Sequence, residues 1–418
     1  MKFLQDELVK SKMSLRQVRR RMARYLKYFG LFCALLTLGL LAVYFLILRQ
    51  PNYQEPTPTA DQNSIVPDGG MWLKGDFHIH SRHSKDSTIN PVSRIIGFAE
   101  DNGFDILAIT DHDNHVFGDV RKNTWADPEF RSESVLLFYG AEWTTHRGHA
   151  NTFSVKPYDH AQFFAARDSR DQDLLELKSK LGIHVSANHP IGGDPYSFSY
   201  DFADSLEVWN SVQFTSGAIV WDDLLKSGRM LPGRGGSDSH HGFPGVGEKK
   251  SDRTFERRFN YVGTPTTWLY AKSRTLEGAL DAMEAGHMSV SANPYSPRLE
   301  FAADTDDDGA FDMMMGDNQR ASTKPVTFKV QLVGNGAKDR PYKVRVIKDG
   351  AEFQVLNTDP STGGVEFTDT PRAEERTYYR VEVYGKKNQY PEVGYSSLIG
   401  GNMVGLSNPI YFNFNAKF

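Results

Sequence analysis

The chain offers almost no thiol chemistry. Its single cysteine, Cys33, lies inside the most apolar stretch. Past that stretch neither a disulfide nor a thiolate metal site can form, so any bound metal must use His and carboxylates. Positive charge is scarce too beyond the first 28 residues. Those carry nine Lys and Arg against Asp6 and Glu7, a net of +7, whereas the whole 418-residue chain is −4. Residues 49–418 therefore carry −11, which argues against a protein that grips a nucleic-acid backbone. Histidine is missing before residue 78 and then occurs 13 times. No repeat of solenoid length is present.

Long uncharged runs are also absent, with one exception. Phe29–Leu48 is 20 residues without a charge and would span about 30 Å as a helix, the thickness of a bilayer core. The basic segment 1–28 in front of it favours a cytoplasmic N-terminus. A cleaved signal peptide is the competing reading, but Leu48–Arg49–Gln50 lacks a small-x-small cleavage pattern. The expectation is a single-pass anchor at 29–48 in the cell membrane, with the rest of the chain outside the cytoplasm. Residues 49–70, rich in Pro and polar side chains, read as a linker.

The stretch Gly75–Ser87, GDFHIHSRHSKDS, reads as a strand ending in a His-x-His pair. Alternation puts His78 and His80 on one face, about 6.6 Å apart, and two such imidazoles can converge on one cation. Asp86 follows in the loop. Asn90-Pro91 is a helix start, with Asn as cap and Pro at the first helical position. Strand FDILAIT runs into Asp111-His112-Asp113, strand Val135–Glu142 ends at a carboxylate, and His149 opens HANTFSV. Helix Asp171–Leu181 leads to IHVSANHP and His189, and SLEVWN is a further strand. Helix Ala218–Ser227 leads to PGRGGSDSH, and strand TWLYA with a helix capped by Thr275 and stopped by Gly286 completes the run. Repeated strand–helix units predict a parallel β/α barrel over 71–300, with chemistry where the strands end. His80, His112, Glu142, His189 and Asp238 all fall there. Spacing alone leaves His146 competing with His149, His184 with His189, and His241 with His240.

Asp304, Asp306, Asp308 and Asp312, in DTDDDGAFD, resemble a calcium loop, but the twelfth position is Met315 and not Glu. The alternative is a plain acidic turn within a linker at 301–322. From 323 to 418 the alternating segments VTFKVQLVG, YKVRVIKDGAEFQVL, GVEFTDT, TYYRVEVYG and NPIYFN read as a small immunoglobulin-like β-sandwich, with a hairpin turn at Lys348-Asp349-Gly350.

DFHIHSRHSKDS, ITDHD, GAEWTTHRGHANTF, NHP and GSDSH occur in this order over roughly 73–290. In these pieces the chain resembles the PHP (polymerase and histidinol phosphatase) metallohydrolases. GHxN, NHP and the closing Ser407–Tyr411 look most like the carbamate-hydrolase-type (CehA/McbA-like) branch. The resemblance implies an α/β fold, a distorted (β/α)7 barrel, with two or three divalent metals. His78, His80 and Asp238 would hold one. Glu142 would bridge to a second, completed by His149 and His189. Asp86, His112 and His240 would hold a third. The family pattern is what selects among the competing histidines. A mixture of imidazole and carboxylate suits Zn, Mn or Fe. Clustered metals lower the pKa of water toward neutrality, so the expected activity is hydrolysis of a small-molecule phosphoester by a metal-activated hydroxide. Asp238 or His240 would shuttle the proton, and His83, His115, Arg147 and Arg234 are candidate substrate contacts. Arg234 reads either as a bidentate phosphate clamp or as a rim salt bridge. The same ligands would serve carbamate, ester or amide hydrolysis, and a metal-stabilised binding module without turnover is the third reading.

Overall fold

The computed structural model describes residues 15–43, 64–67, 69–190, 199–210, 214–240, 262–334, 336–338, 340–386 and 403–414. Residues 1–14 of the basic segment, 44–48 of the expected anchor, 49–63 and 68 of the linker, His241 and 387–402 of the last segment lie outside them. The chain divides into Met1–Asn52 and Tyr53–Phe418.

In the first unit, helix α1 (Leu15–Val43) is 29 residues long. It starts well before the uncharged run because Arg and Lys are good helix formers and extend it through the basic segment. Within it Val18–Leu41 is long and apolar enough to cross a membrane, a test that a signal sequence also meets.

The second unit is a mixed α/β fold built on a 15-stranded and a 4-stranded sheet. The strands that matter for the site are β1 (Met71–Ile79), β2 (Ile106–Ile109), β3 (Leu136–Thr145), β4 (Gly148–Ser154), β5 (His184–Ala187), β6 (Ser205–Asn210) and β7 (Gly233–Gly236). They are neighbours in this order. Beyond β7 the chain returns to β1: the Asp238 amide donates to the His78 carbonyl and the His80 amide to the Ser239 carbonyl, both at 2.8 Å. The parallel pattern expected from the sequence is broken twice. β4 runs antiparallel to both β3 and β5, because only two residues join it to β3 and a turn that short can only reverse the chain. β8 (Thr266–Ala271) lies antiparallel to the first half of β1.

Four helices of the larger unit interleave with these strands: α2 (Val92–Asp101), α3 (His160–Ala165), α4 (Asp171–Leu181) and α5 (Phe214–Lys226). A fifth, α6 (Leu276–Ala285), follows β8; the Thr275 hydroxyl caps it and Gly286 ends it in the left-handed region. The expected cap on α2 is not made. Pro91 occupies that position without a side-chain bond, and Asn90 is fully buried with its amide donating to the His80 carbonyl at 2.7 Å. The demand of a buried carbonyl beside the site outweighs the helix end.

Strand β9 (Met288–Ser291) pairs with β8. The rest of the chain supplies β10 (Arg298–Asp304), β11 (Met313–Met314), β12 (Asn318–Gln319), β13 (Val326–Val333), β14 (Lys343–Lys348), β15 (Ala351–Asn357), β16 (Gly364–Asp369), β17 (Thr377–Tyr384), β18 (Met403–Ser407) and β19 (Ile410–Phe412). β11-β10-β13-β16 form the smaller sheet, while β18 joins β9 and so continues the large one. One core, including Phe301, Phe328, Val344, Tyr379 and Phe412, draws on both sheets. The turn between β14 and β15 is Asp349-Gly350, both with positive φ, as a tight hairpin requires. The expected linker at 301–322 begins inside β10. In its acidic loop Asp304 accepts the amides of Asp307 and Gly309, and Asp312 accepts the Thr305 amide and hydroxyl. These are the contacts of a hydrogen-bonded acidic turn.

Candidate metal centre

Burial of β1 on both faces brings its two histidines into the molecule: Phe77, His78, Ile79 and His80 are all fully buried. Apolar Phe77 and Ile79 pack into the core, and His78 and His80 take the other face, rings 5.2 Å apart. The exit of β2 adds His112, β3 adds Glu142, β4 adds His149, the turn after β5 adds His189, and the turn after β7 adds Asp238 and His240. The structure brings all nine of the residues expected as ligands together.

Glu142 lies at their centre. Its Oε1 is 3.4 Å from His78 Nε2, 3.1 Å from His149 Nδ1 and 3.5 Å from His189 Nε2. Its Oε2 is 3.5 Å from His80 Nε2 and 2.7 Å from His112 Nδ1. Asp238 Oδ1 is 3.4 Å from His78 Nε2 and 3.1 Å from His80 Nε2. Asp86 Oδ2 is 3.3 Å from His112 Nε2 and 3.5 Å from His240 Nε2. Atoms bound to one tetrahedral cation at about 2.0–2.1 Å are about 3.3 Å apart, so these separations suit shared ions. Groupings that could hold a cation include His78, His189 and Asp238; His78, His80 and Glu142; Glu142, His149 and His189; and Asp86, His112 and His115. His115, expected as a substrate contact, is therefore also close enough to ligate.

Two atoms test the fit to metals. His78 Nε2 and Glu142 Oε2 are buried and make no hydrogen bond of good geometry, although His112 Nδ1 lies 2.7 Å from Oε2 as an ion pair. Buried polar atoms without a well-made hydrogen bond are costly, and both belong to the cluster of imidazoles and carboxylates just described. Burial, reinforced by the neighbouring His240 and His112, lowers His80 to about 3, so its imidazole is neutral with a lone pair to offer. Burial opposes charging His112, yet Glu142 and Asp86 raise it to about 10. Burial alone would raise Glu142, but His112, His78 and His149 hold it well below the usual carboxylate range. The pocket's carboxylates demand positive charge, which a divalent cation supplies better than shared protons. His189 and Asp238 have φ of 27° and 53°, and left-handed backbone at non-glycine residues marks strain of the kind found at functional sites.

Several supporting residues were not foreseen. Glu207, fully buried on β6, accepts from His78 Nδ1 at 2.9 Å and from the His189 amide at 2.8 Å. It thereby turns His78 Nε2 toward the centre. His78 and Arg234 lower Glu207 to about 2 against the effect of burial. Asn188 donates to Glu142 Oε1 at 3.0 Å. Asp111 accepts from the Ser81 amide and from the hydroxyls of Ser81, Ser84 and Thr124, pinning the loop that carries Asp86. The signal for Glu207 was a lone charge inside the apolar strand SLEVWN.

Three expected substrate contacts face elsewhere. Arg234 is fully buried, and its guanidinium donates to Ser186, Glu207 and Asn188. These are the contacts of a salt bridge beneath the centre, and they leave no fork for a phosphate. Arg147 donates to the Ser169 carbonyl at 2.8 Å and pairs with Asp171. His83 lies 2.7 Å from Asp127. Of the competing histidines, His146 is 76% exposed beside Asp168, and His184 is buried against Ser205.

No protein-family model matches the chain, and no curated protein sequence matches it. Among solved structures it is similar to a two-domain protein containing a predicted PHP-like metal-dependent phosphoesterase from Bacteroides vulgatus. That similarity has 18% identity and a TM-score of 0.39 over 85% of this chain and 100% of the other. A fainter one, 12% identity and TM-score 0.18 over 75% of this chain and 48% of the other, is to the endo-β-1,4-mannanase from Thermotoga petrophila.

Proposed function

We propose that the chain is a metal-dependent hydrolase acting on a small-molecule phosphoester, with a PHP-type (β/α)7 barrel, an immunoglobulin-like C-terminal sandwich and an N-terminal anchor that places the larger unit outside the cytoplasm. The observation that carries this reading is the pair of buried atoms without a well-made hydrogen bond, His78 Nε2 and Glu142 Oε2, at the middle of a ring of imidazoles and carboxylates. His78, His80, Asp238 and Glu142 would hold one ion, Glu142, His149 and His189 a second, and Asp86, His112 and His240 a third, with Zn, Mn or Fe as the suited metals. When bound, divalent cations supply Lewis-acid stabilisation of developing charge and make water more acidic. Glu207 and Asn188 fix the orientation of His78 and Glu142. Asp238 and His240, with side chains 20% and 21% exposed, stand on the open side, where they can hold a proton for the leaving group.

Elemental analysis of the purified full chain, with assays on aryl phosphate mono- and diesters beside an aryl carbamate, tests the proposal. About two or three ions per chain and phosphoester turnover lost on chelation are expected. Turnover of the carbamate alone would replace phosphoester by carbonyl chemistry. A metal-loaded protein inert on the whole panel would leave a binding module.

A further inference from the structure

Beside the metal centre lies a cavity of about 480 Å3, lined among others by Asn114, Phe117, Thr144, His146, Phe164 and Arg167. Ligand pockets commonly fall between about 300 and 1,000 Å3. The cavity and the centre share a wall, because the Thr144 hydroxyl lies 2.7 Å from His112 Nδ1. None of the lining residues is acidic. Phe117 is 81% exposed, with a left-handed φ of 53°. A large apolar ring held outward in a strained conformation at a cavity rim is unusual unless something covers it. The next residue, Gly118, packs so closely on Phe164 that a Cβ there would lie 2.7 Å from that ring, so the rim and the floor of the cavity are in contact.

Arg167 is the charge in this cavity. Its guanidinium carbon lies over Phe164, 4.0 Å from the ring centroid, a cation–π contact that restrains the fork. Its Nη1 is buried and has no hydrogen-bond partner. Arg147 nearby is tied to Ser169 and Asp171 and does not compete for a ligand. Nη1 itself is shielded, but a guanidinium lying over an aromatic ring at a cavity whose lining holds no carboxylate, with the neighbouring Asp168 3.7 Å from His146, is a receptor for a planar anion.

We infer that this cavity binds the leaving group of the substrate, and that Arg167 selects a flat ring carrying a second anionic group, such as a carboxylate, at the end remote from the metals. The inference rests on the hydrolase reading for the word substrate, but the binding itself does not. The probe is therefore a product-like pair of equal shape, 4-hydroxybenzoate and neutral 4-hydroxybenzamide, titrated into the full chain by calorimetry. Hydrolysis of 4-carboxyphenyl phosphate and phenyl phosphate is followed in parallel.

Wild type is expected to favour the carboxylate by about ten-fold or more, with the preference falling to about two-fold or less in Arg167→Met and partly returning in Arg167→Lys. Equal affinity for the two probes in wild type overturns the inference, and this arm needs no variant to fold. A preference undiminished in a folded Arg167→Met would put the carboxylate on the metal centre and overturn it equally. An Arg167-dependent preference without hydrolysis of either phosphate would sink the hydrolase reading and leave the anion pocket standing.

Discussion

Lys74 stands one turn of strand before the histidines and carries a charge in a nearly dry place. It is 8% exposed, its ammonium donates to the Asn102 carbonyl at 2.7 Å, and it lies 5.2–5.8 Å from the ring centroids of Phe104, Trp268 and Tyr295. Burial lowers its pKa to about 8, with Asp105 opposing. An amine whose folded pKa is below its unfolded value disfavours folding wherever both states are charged. Between about pH 8 and 10.5 the unfolded chain binds the extra proton, so stability rises with pH across that window, by about 3 kcal/mol from this group. Lys74→Met removes the titration and keeps the packing. Denaturant melts of both proteins from pH 7 to 10 should show the variant ahead at pH 7 and its lead shrinking as pH rises. A lead that stays constant with pH would show that burial does not disfavour the charge.

At the scale of elements, β7 carries the heaviest packing constraint. Its sequence, Gly-Arg-Gly-Gly, has none of the residues that favour strands. A Cβ on Gly236 would meet the Glu207 carboxylate and lie 2.6 Å from His78 Cβ, so glycine is needed there because His78 of β1 and Glu207 of β6 press against the strand. Gly236→Ala should destabilise by about 1–3 kcal/mol and reduce bound metal by displacing His78 and Glu207. Gly97→Ala on α2, where a Cβ meets nothing within 4 Å, should instead stabilise by about 0.5–1 kcal/mol. Thermal melts with elemental analysis check both, and equal behaviour of the two would remove packing at β7 as the cause. The same contrast explains what could be read in advance. That His78, His80, Glu142 and Asp238 would converge was legible because a metal site without thiols is sought among His and carboxylates, because β1 alternates, and because β2 and the start of β3 are apolar runs. The partners of those ligands were not, since nothing local in SLEVWN says that Glu207 will meet His78, and nothing in PGRGG says that Arg234 points down into a salt bridge. The direction of β4 was legible only from the two-residue turn before it, and the repeated strand–helix units pointed to a parallel sheet instead.

For the larger unit as a whole, the C-terminal strands are bound into the structure that carries the candidate metal site. β18 pairs with β9, Asn408 bonds to both Gly233 and Met288, and the core around Trp143, Trp209 and Trp221 takes in Tyr378, Leu406, Tyr411 and Phe414. The strongest tie is electrostatic. Arg380, 2% exposed, donates from Nε and Nη2 to the two oxygens of Asp222 on α5 at 2.8 and 2.6 Å, and from Nη1 to Glu382 at 2.8 Å. Removing one member of such a buried cluster costs about 3–5 kcal/mol, because the remaining charges lose their partner while still buried. Arg380→Met should therefore lower stability by that amount although it lies on β17, away from the histidine cluster. A chain ending at residue 300 would lose this cluster, the β18 edge and part of the core at once. If the two parts unfold together, calorimetry of the full chain shows one transition for residues 53–418, which Arg380→Met moves down without splitting, and the chain ending at 300 gives no cooperative transition. A second, lower transition confined to the C-terminal strands, with the remainder still melting at the wild-type temperature in Arg380→Met, would mean that those strands are an appendage and that α5 and β9 stand without them.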